Sequence, residues 1–147
     1  EPRTVHESSL SPCIHSILAN RIGKKELAYD LYLRTSRLDL DDYNREVAEG
    51  LHITSMGGTW MSVVYGFGGF RVKDERVHLY PKLPENWNAI SFRIIFRENY
   101  LKIHINDTHI TIDNEQGPAL EIVVNGEMKV LPEEGLLEVE LRKVVGA

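Results

Sequence analysis

Two polar segments come directly before stretches with helical patterning, and both could bind an anion. Ser8 and Ser9 precede a predicted helix over about residues 12–22, and His52 opens another over 52–65. The first N–H groups of a helix have no partner within it, and the helix dipole places partial positive charge at that end. Serine hydroxyls, backbone amides and the dipole could therefore converge on one oxyanion.

The same residues also have a structural interpretation. Serines commonly form the turn that leads into a helix, so Ser8 and Ser9 could serve only that purpose. A single histidine before an apolar helix, such as His52, is more often hydrogen-bonded within the protein than a ligand. His6 could orient Glu7 or a neighbouring backbone group. The residue types alone leave both interpretations open.

The helices that position these residues follow from caps and spacing. Ser11 is the predicted N-cap of the first helix, Pro12 its first helical residue, and Gly23 its stop. A second helix over 24–38 is predicted from apolar residues at helical spacing, and the two helices form a hairpin. The apolar face of the second helix consists of Leu27, Leu31 and Leu38.

The third predicted helix, 52–65, has an apolar stripe that we expect to be core. The stripe contains Ile53, Met56, Trp60 and Val63 or Val64, and Tyr65 is expected to be core as well. Gly57 and Gly58 weaken this prediction by roughly 1 kcal/mol each relative to alanine. They would be favoured only where a neighbouring helix or a ligand must approach closely.

After the glycine-rich segment 66–70, the apolar period changes from about 3.6 to 2, which predicts strands. An Asn125-Gly126 pair is a strong signal for a two-residue hairpin, and short turns elsewhere favour antiparallel pairing. The fold class is therefore α+β, with a helical half followed by a β half. The predicted strands are 90–96, 101–105, 109–112, 121–124, 127–131 and 137–145.

Composition excludes several classes of protein. The 147 residues carry a formal net charge of −5 with scattered Lys and Arg, which disfavours nucleic-acid binding. No apolar run reaches the roughly 20 residues of a membrane span, and no leader peptide is seen. The single cysteine, Cys13, favours a reducing, cytoplasmic setting. The remaining histidines lack metal-like clustering with Cys, Asp or Glu, so no metal is expected.

Five segments in order resemble glycoside hydrolase family 65, and they extend over essentially the whole chain. They are EPRTVHESSLSPC at 1–13, RLDLDDYN at 37–44, GLHITSMGGTW at 50–60, GFGGFRV at 66–72 and PKLPENW at 81–87. The resemblance is to the maltose phosphorylase type, with kojibiose, nigerose and trehalose phosphorylases as siblings. It implies that residues 1–68 are the last helices of an (α/α)6 catalytic barrel and 69–147 a small, sandwich-like antiparallel C-terminal domain.

An inverting phosphorylase needs one carboxylic acid, and inorganic phosphate takes the place of the water and base of a hydrolase. The resemblance implies that Ser8, Ser9, His52 and His6 bind this phosphate co-substrate. It also implies a catalytic glutamate upstream of this chain, so that the chain would be an inactive C-terminal fragment. No other cofactor is expected. The expected partners are a disaccharide, phosphate, the remainder of the barrel and a second copy in a homodimer.

Two alternatives remain open. Glu49 or Glu7 could be the base of an inverting hydrolase, since a carboxylate in the phosphate position would repel the dianion and favour attack by water. The set Asp39, Asp41 and Asp42 is better explained as a solvated acidic loop. Alternatively, the polypeptide could act alone as a non-catalytic β-sheet binding module with a helical extension, although helices of an open barrel would expose a large apolar face.

Overall fold

The computed structural model describes residues 8, 10–42, 45 and 47–141, and the chain divides into two compact units after Phe67. In the described part of the first unit, α-helices pack beside a short 3₁₀ helix and a π-helical turn. The helices are α1 (Ser11–Arg21), α2 (Lys25–Ser36) and α3 (Ile53–Met61), the 3₁₀ helix is Val47–Glu49, and the π-helical turn is Ser62–Phe67.

The start of α1 differs from the prediction. Ser11 is already helical, and the N-cap position is Leu10, whose side chain makes no capping bond. The turn before the helix begins earlier, at Ser8. Its carbonyl accepts the N–H of Ser11 at 3.1 Å and its hydroxyl accepts the N–H of Leu10 at 3.4 Å. These bonds form the turn before the helix, whereas a cap at Ser11 would have accepted N–H groups further along α1.

The end of α1 and the helical hairpin are confirmed. Gly23 has a φ of +80°, and its N–H and that of Lys24 return to carbonyls in the last turn of α1, which is a Schellman motif. In the hairpin, the hydroxyl of buried Ser16 donates to the carbonyl of Ala28 at 2.7 Å. The buried face of α2 is formed by Ala28, Leu31 and Thr35, with Leu38 buried just beyond the helix.

The buried face of α3 is not the predicted apolar stripe. Ile53, Met56 and Trp60 are exposed by 74%, 57% and 47%, so their assignment to the core of this chain was wrong. Tyr65 is half-buried, while Val64 is fully buried as expected. The residues that α3 turns inward are small, namely Ser55, Gly58 and, at its end, Ser62.

Close helix packing explains this reversal. A Cβ at Gly58 would lie 3.0 Å from both Cβ and Sγ of Cys13 on α1 and 3.4 Å from Cγ2 of Thr35 on α2. Only small residues allow backbones to approach to this distance, so the larger side chains of α3 face outward. The expectation that a neighbouring helix approaches the Gly57-Gly58 pair is confirmed at Gly58.

The second unit contains two four-stranded sheets within its described residues. One has the order β1-β2-β6-β7 and the other β3-β4-β5-β8. The strands are β1 (Arg71–Lys73), β2 (Arg76–Leu79), β3 (Ala89–Phe96), β4 (Asn99–Asn106), β5 (His109–Gln116), β6 (Leu120–Val124), β7 (Glu127–Leu131) and β8 (Leu136–Glu140). The predicted strands are found, although residues 142–145 of the last one lie outside the described residues.

Two features of the sheets were not predicted. Strands β1 and β2 are only three and four residues long, too short for an alternating pattern to identify them. Strand β2 also pairs with β6 in parallel, with Val77 opposite Ile122, so the purely antiparallel expectation was wrong. Sequence periodicity cannot indicate this pairing because it joins strands that are far apart along the chain.

Alternation gives each sheet one apolar face. In β3, Phe92, Ile94 and Phe96 are buried whereas Ile95 is exposed. In the other sheet, Val77 and Ile122 are fully buried. Two sheets with one-sided burial in a single compact unit have the character of a β-sandwich. The predicted hairpin at Asn125-Gly126 is confirmed, because both residues have positive φ, as a type I′ turn requires.

The loops at one end of these sheets depend on a buried asparagine, Asn114. Its Nδ2 donates to three backbone carbonyls, its Oδ1 accepts from Asn99, and its own N–H donates to Gly135 at 2.8 Å. The three carbonyls belong to Gly117, Pro118 and Pro132. One side chain thus connects segments that follow β5 and β7.

We expect Asn114→Ala to lower the free energy of unfolding by about 1–3 kcal/mol, because it removes the hydrogen bonds that the Asn114 side chain makes with three loop carbonyls and with the Asn99 amide, which keeps only its bond to the Pro118 carbonyl. Asn86→Ala, in an exposed turn, is the matched control and should change stability by less than about 0.5 kcal/mol. Urea denaturation of the two variants measures both values. Equal effects would contradict the role assigned to Asn114.

A second pair of variants tests the helix packing. Gly58→Ala should lower the free energy of unfolding by about 1–3 kcal/mol, because the new methyl group forces α3 away from Cys13. At Gly57, a Cβ would meet no atom within 4 Å, so Gly57→Ala should instead raise stability by about 0.5–1 kcal/mol through helix propensity. Thermal and urea unfolding would contradict the packing if both substitutions stabilised the protein.

Candidate functional site

Helices α1 and α3 run in the same direction, which brings their N-terminal ends together. Cys13 on α1 lies against Gly58, whereas Ile17 lies against Gly66, where a Cβ would be 3.7 Å from the Ile17 Cα. The Asn20 amide also donates to the Gly66 carbonyl at 3.0 Å. Residues further along α1 therefore contact residues further along the segment from α3 to Gly66, which happens only between segments that run parallel.

The starts of these two helices are nearly level. Helix α1 begins at Ser11, two residues before Cys13, and α3 begins at Ile53, five residues before Gly58. At 1.5 Å per residue, this difference corresponds to a stagger of roughly 5 Å along the helix direction. The N-terminal dipoles of both helices thus point towards one end of the helical unit, which we call the common end.

Helix α2 runs the opposite way, so its C-terminal turn arrives at the common end. Ser16 contacts Ala28, while Thr35, the residue before the last of α2, reaches the Cys13–Gly58 contact. The turn over 37–42 follows directly. This turn places a carboxylate beside the start of α3.

That carboxylate, Asp39, binds His52 through both of its oxygens. His52 donates its backbone N–H to Oδ2 at 2.9 Å, and its Nδ1 lies 2.6 Å from Oδ1. The Asp39 and His52 side chains are exposed by only 15% and 23%. The hydrogen bond from the His52 side chain is the main cause that lowers the pKa of Asp39, with a smaller contribution from the His52 backbone.

The predicted acidic loop is therefore only partly solvated, and the expectation for Asp39 was wrong. Asp41 and Asp42 are exposed as expected. Asp41 forms a bidentate surface pair with Arg37 at 2.6 and 2.7 Å, and Asp42 accepts the N–H of Val47 at 3.1 Å. Asp39 differs because the fold places it against the start of α3.

The other predicted site residues are described to different extents. Ser8 is exposed, and its hydroxyl and carbonyl oxygens accept N–H groups in the turn before α1, while its own O–H can still donate to another group. Ser9, His6 and Glu7 lie outside the described residues, as does the side chain of Glu49, whose backbone ends the 3₁₀ helix.

His52 occupies the N-cap position of α3, but its side chain does not cap the helix. Asp39 binds the imidazole instead. Because an ionised carboxylate can only accept hydrogen bonds, Nδ1 carries the proton and donates it to Asp39, and Nε2 is the nitrogen that faces other groups. The common end thus combines two helix N-termini, a serine hydroxyl and an oriented imidazole. These are donors suited to an oxyanion.

Two further observations concern the metal ligands and the helix lengths in the part of the chain that the structure describes. Its His, Cys, Asp and Glu side chains form no group of three that could hold a metal ion. Every helix in the same residues is too short or too polar to cross a membrane.

Comparison with known proteins identifies the origin of both units. Residues 1–61 match the glycosyl hydrolase family 65 central catalytic domain, and residues 70–131 match the C-terminal domain of the same family. The chain belongs to glycosyl hydrolase family 65. The resemblance seen in the sequence is thereby confirmed.

Similar proteins in this family include disaccharide phosphorylases. The chain is 44% identical to maltose phosphorylase of Bacillus subtilis over 89% of its length, and 43% identical to α,α-trehalose phosphorylase of Thermoanaerobacter brockii over 92%. It spans 17% of the length of each relative. A solved structure assigned as a kojibiose phosphorylase from the human microbiome matches 97% of the chain at a TM-score of 0.89 and 40% identity, and the match covers 21% of that structure.

The Asp39–His52 pair is the part of the site that sequence reasoning missed. The two residues are 13 positions apart and belong to different elements, and no short motif links them. The only sequence signal was the presence of Asp39 in a segment that resembles the family. Their contact depends on how α2 and α3 pack on α1.

The lowered pKa of Asp39 predicts a pH dependence of stability. Because the folded-state pKa lies below the unfolded value of about 3.9, the Asp39 carboxylate stabilises the fold fully above that value. This contribution is lost as pH falls through the lower folded-state pKa. The stability difference between the wild type and Asp39→Asn should therefore shrink from about pH 5 towards pH 2. A difference that stays constant in urea denaturation over this range would contradict the prediction.

Proposed function

We propose that this chain is the C-terminal part of an inverting disaccharide phosphorylase. Residues 1–68 would be the last helices of an (α/α)6 catalytic barrel, and residues 69–147 the C-terminal β domain. Membership of glycosyl hydrolase family 65 and identities of 43–44% to two phosphorylases support this assignment.

The observation that carries the proposal is the common end of α1 and α3. Two parallel helices that start nearly level direct the positive ends of two helix dipoles to one region. Ser8 lies before one helix and His52 at the start of the other. We assign the phosphate contacts to Ser8, Ser9, His52 and His6.

The proposed reaction uses these contacts to hold the nucleophile. A phosphate oxygen attacks the anomeric carbon from the face opposite the leaving sugar, while a glutamic acid upstream of this chain protonates the departing glycosidic oxygen. The bond to the second sugar breaks as the bond to phosphate forms, which inverts the configuration. Maltose and phosphate would give β-D-glucose 1-phosphate and D-glucose. No further cofactor takes part.

Exposed apolar side chains on the helices support the proposal that the rest of a helical barrel covers them. Leu10, Ile14 and Leu18 recur every four residues on one side of α1 and are exposed, as are Ile53, Met56 and Trp60 on α3. Soluble monomers usually expose apolar residues singly rather than in a row along a helix, so we expect a partner to cover these side chains. The rest of the barrel is the occupant we propose, and the isolated chain would be inactive because it lacks the acid.

Maltose is the substrate we propose, with the linkage preference set by parts of the barrel outside this chain. Similar proteins include maltose, trehalose and kojibiose phosphorylases, and the sequence identities of this chain to them do not separate these activities. We further propose a cytoplasmic homodimer. These assignments follow from the family resemblance.

Phosphate dependence is the direct test. The complete protein that contains this chain is incubated with maltose, trehalose or kojibiose, with and without inorganic phosphate, and the glucose 1-phosphate anomer is identified by NMR. We expect turnover only with phosphate, the β anomer as product, and maltose as the preferred substrate. Glucose release without phosphate would overturn the proposal and direct attention to Glu49 and Glu7 as possible bases.

Variants then test the assigned contacts. His52→Ala should raise the KM for phosphate by about 10–100-fold and Ser8→Ala by about tenfold, because each removes a hydrogen bond to an ionised ligand. The KM for the disaccharide should change far less. His109→Ala and Ser91→Ala, both in the β unit, are the matched controls and should leave both constants unchanged. An unchanged phosphate KM in His52→Ala would contradict its assignment.

A further inference from the structure

The Asp39–His52 contact is the most constrained polar pair at the common end. One carboxylate accepts two hydrogen bonds from a single residue, at 2.9 Å from the backbone N–H and close to Nδ1 at 2.6 Å. A group held at both its backbone and its side chain cannot swing freely about its side-chain torsions. The ring of His52 is therefore fixed relative to the start of α3.

The turn that carries Asp39 is itself anchored on both sides. Leu38, the preceding residue, is buried, and the Arg37–Asp41 pair spans the turn on its solvent side. The N–H of Asp41 also donates to the carbonyl of Arg37 at 2.8 Å. Asp39 is thus presented by an ordered turn.

We propose that Asp39 is a positioning residue for phosphate binding, which acts by orienting His52. The inference rests on the proposed function, because it takes His52 as a phosphate contact. With Nδ1 directed to Asp39, the imidazole can offer only Nε2 to a second group. When Nδ1–H donates to Asp39, an Nε2 that also donates to a phosphate oxygen belongs to the imidazolium form of the ring.

A purely structural role for Asp39 makes a different prediction. If the carboxylate served only to satisfy the N–H at the start of α3, its loss would destabilise that helix and reduce activity whether or not His52 were present. If it acts through the ring, its effect on phosphate binding must disappear once the ring has been removed. A double-mutant cycle separates the two roles.

The cycle is measured in the complete protein that contains this chain, with steady-state kinetics in which inorganic phosphate and maltose are varied separately. We expect Asp39→Ala to raise the KM for phosphate by about tenfold, with a much smaller change in the KM for maltose. In the His52→Ala background, Asp39→Ala should have no further effect on the phosphate KM. Asp39→Asn, which keeps one acceptor oxygen, should recover part of the affinity.

Asp41→Ala is the matched control, since Asp41 lies in the same turn but pairs with Arg37 at the surface. It should leave the phosphate KM unchanged. If Asp39→Ala does not fold, as judged by thermal unfolding, the isosteric Asp39→Asn replaces it in the cycle.

The outcomes distinguish the two proposals. An equal effect of Asp39→Ala with and without His52, or none in the wild type while His52→Ala still weakens phosphate binding, would overturn the positioning role alone. An unchanged phosphate KM in His52→Ala would instead overturn the assignment of His52 itself, and with it this inference.

Discussion

The close approach of three helices at Gly58 is the constraint on which the helical unit depends. Because a Cβ at this glycine would lie within 3.4 Å of atoms of Cys13 and Thr35, α3 must present small residues to α1 and α2. The contact fixes the direction and level of each helix. The parallel starts of α1 and α3, and the arrival of Asp39 beside His52, follow from it.

The same packing determines what α3 shows to its surroundings. Once Gly58 and Ser55 face inward, Ile53, Met56 and Trp60 must lie on the other side of the helix. Apolar residues of α1 are exposed as well. An apolar surface of this kind is understandable in one segment of a helical barrel, whose neighbours would cover it.

In the second unit, a polar network performs the organising role. Asn114 donates with one side chain to three loop carbonyls, of which Pro118 also accepts from Asn99 and Gly117 from the N–H of Glu134. The apolar faces of the strands supply most of the burial, but they do not specify where loops cross. The parallel pairing of β2 with β6 joins the β1-β2 pair and the β6-β7 pair into one sheet, although these pairs are far apart along the chain.

The sequence by itself determined the local structure and the family. Apolar periods, Gly23 and Asn125-Gly126 predicted the helical hairpin, the longer strands and the tight hairpin, because these depend on neighbours within a few residues. Tertiary structure alone decided which face of α3 is buried, how β2 pairs, and that Asp39 holds His52. In each case the deciding contact joins residues that are distant in sequence, and no local pattern encodes such a contact. In α3, the close approach of the helix backbones outweighs side-chain hydrophobicity.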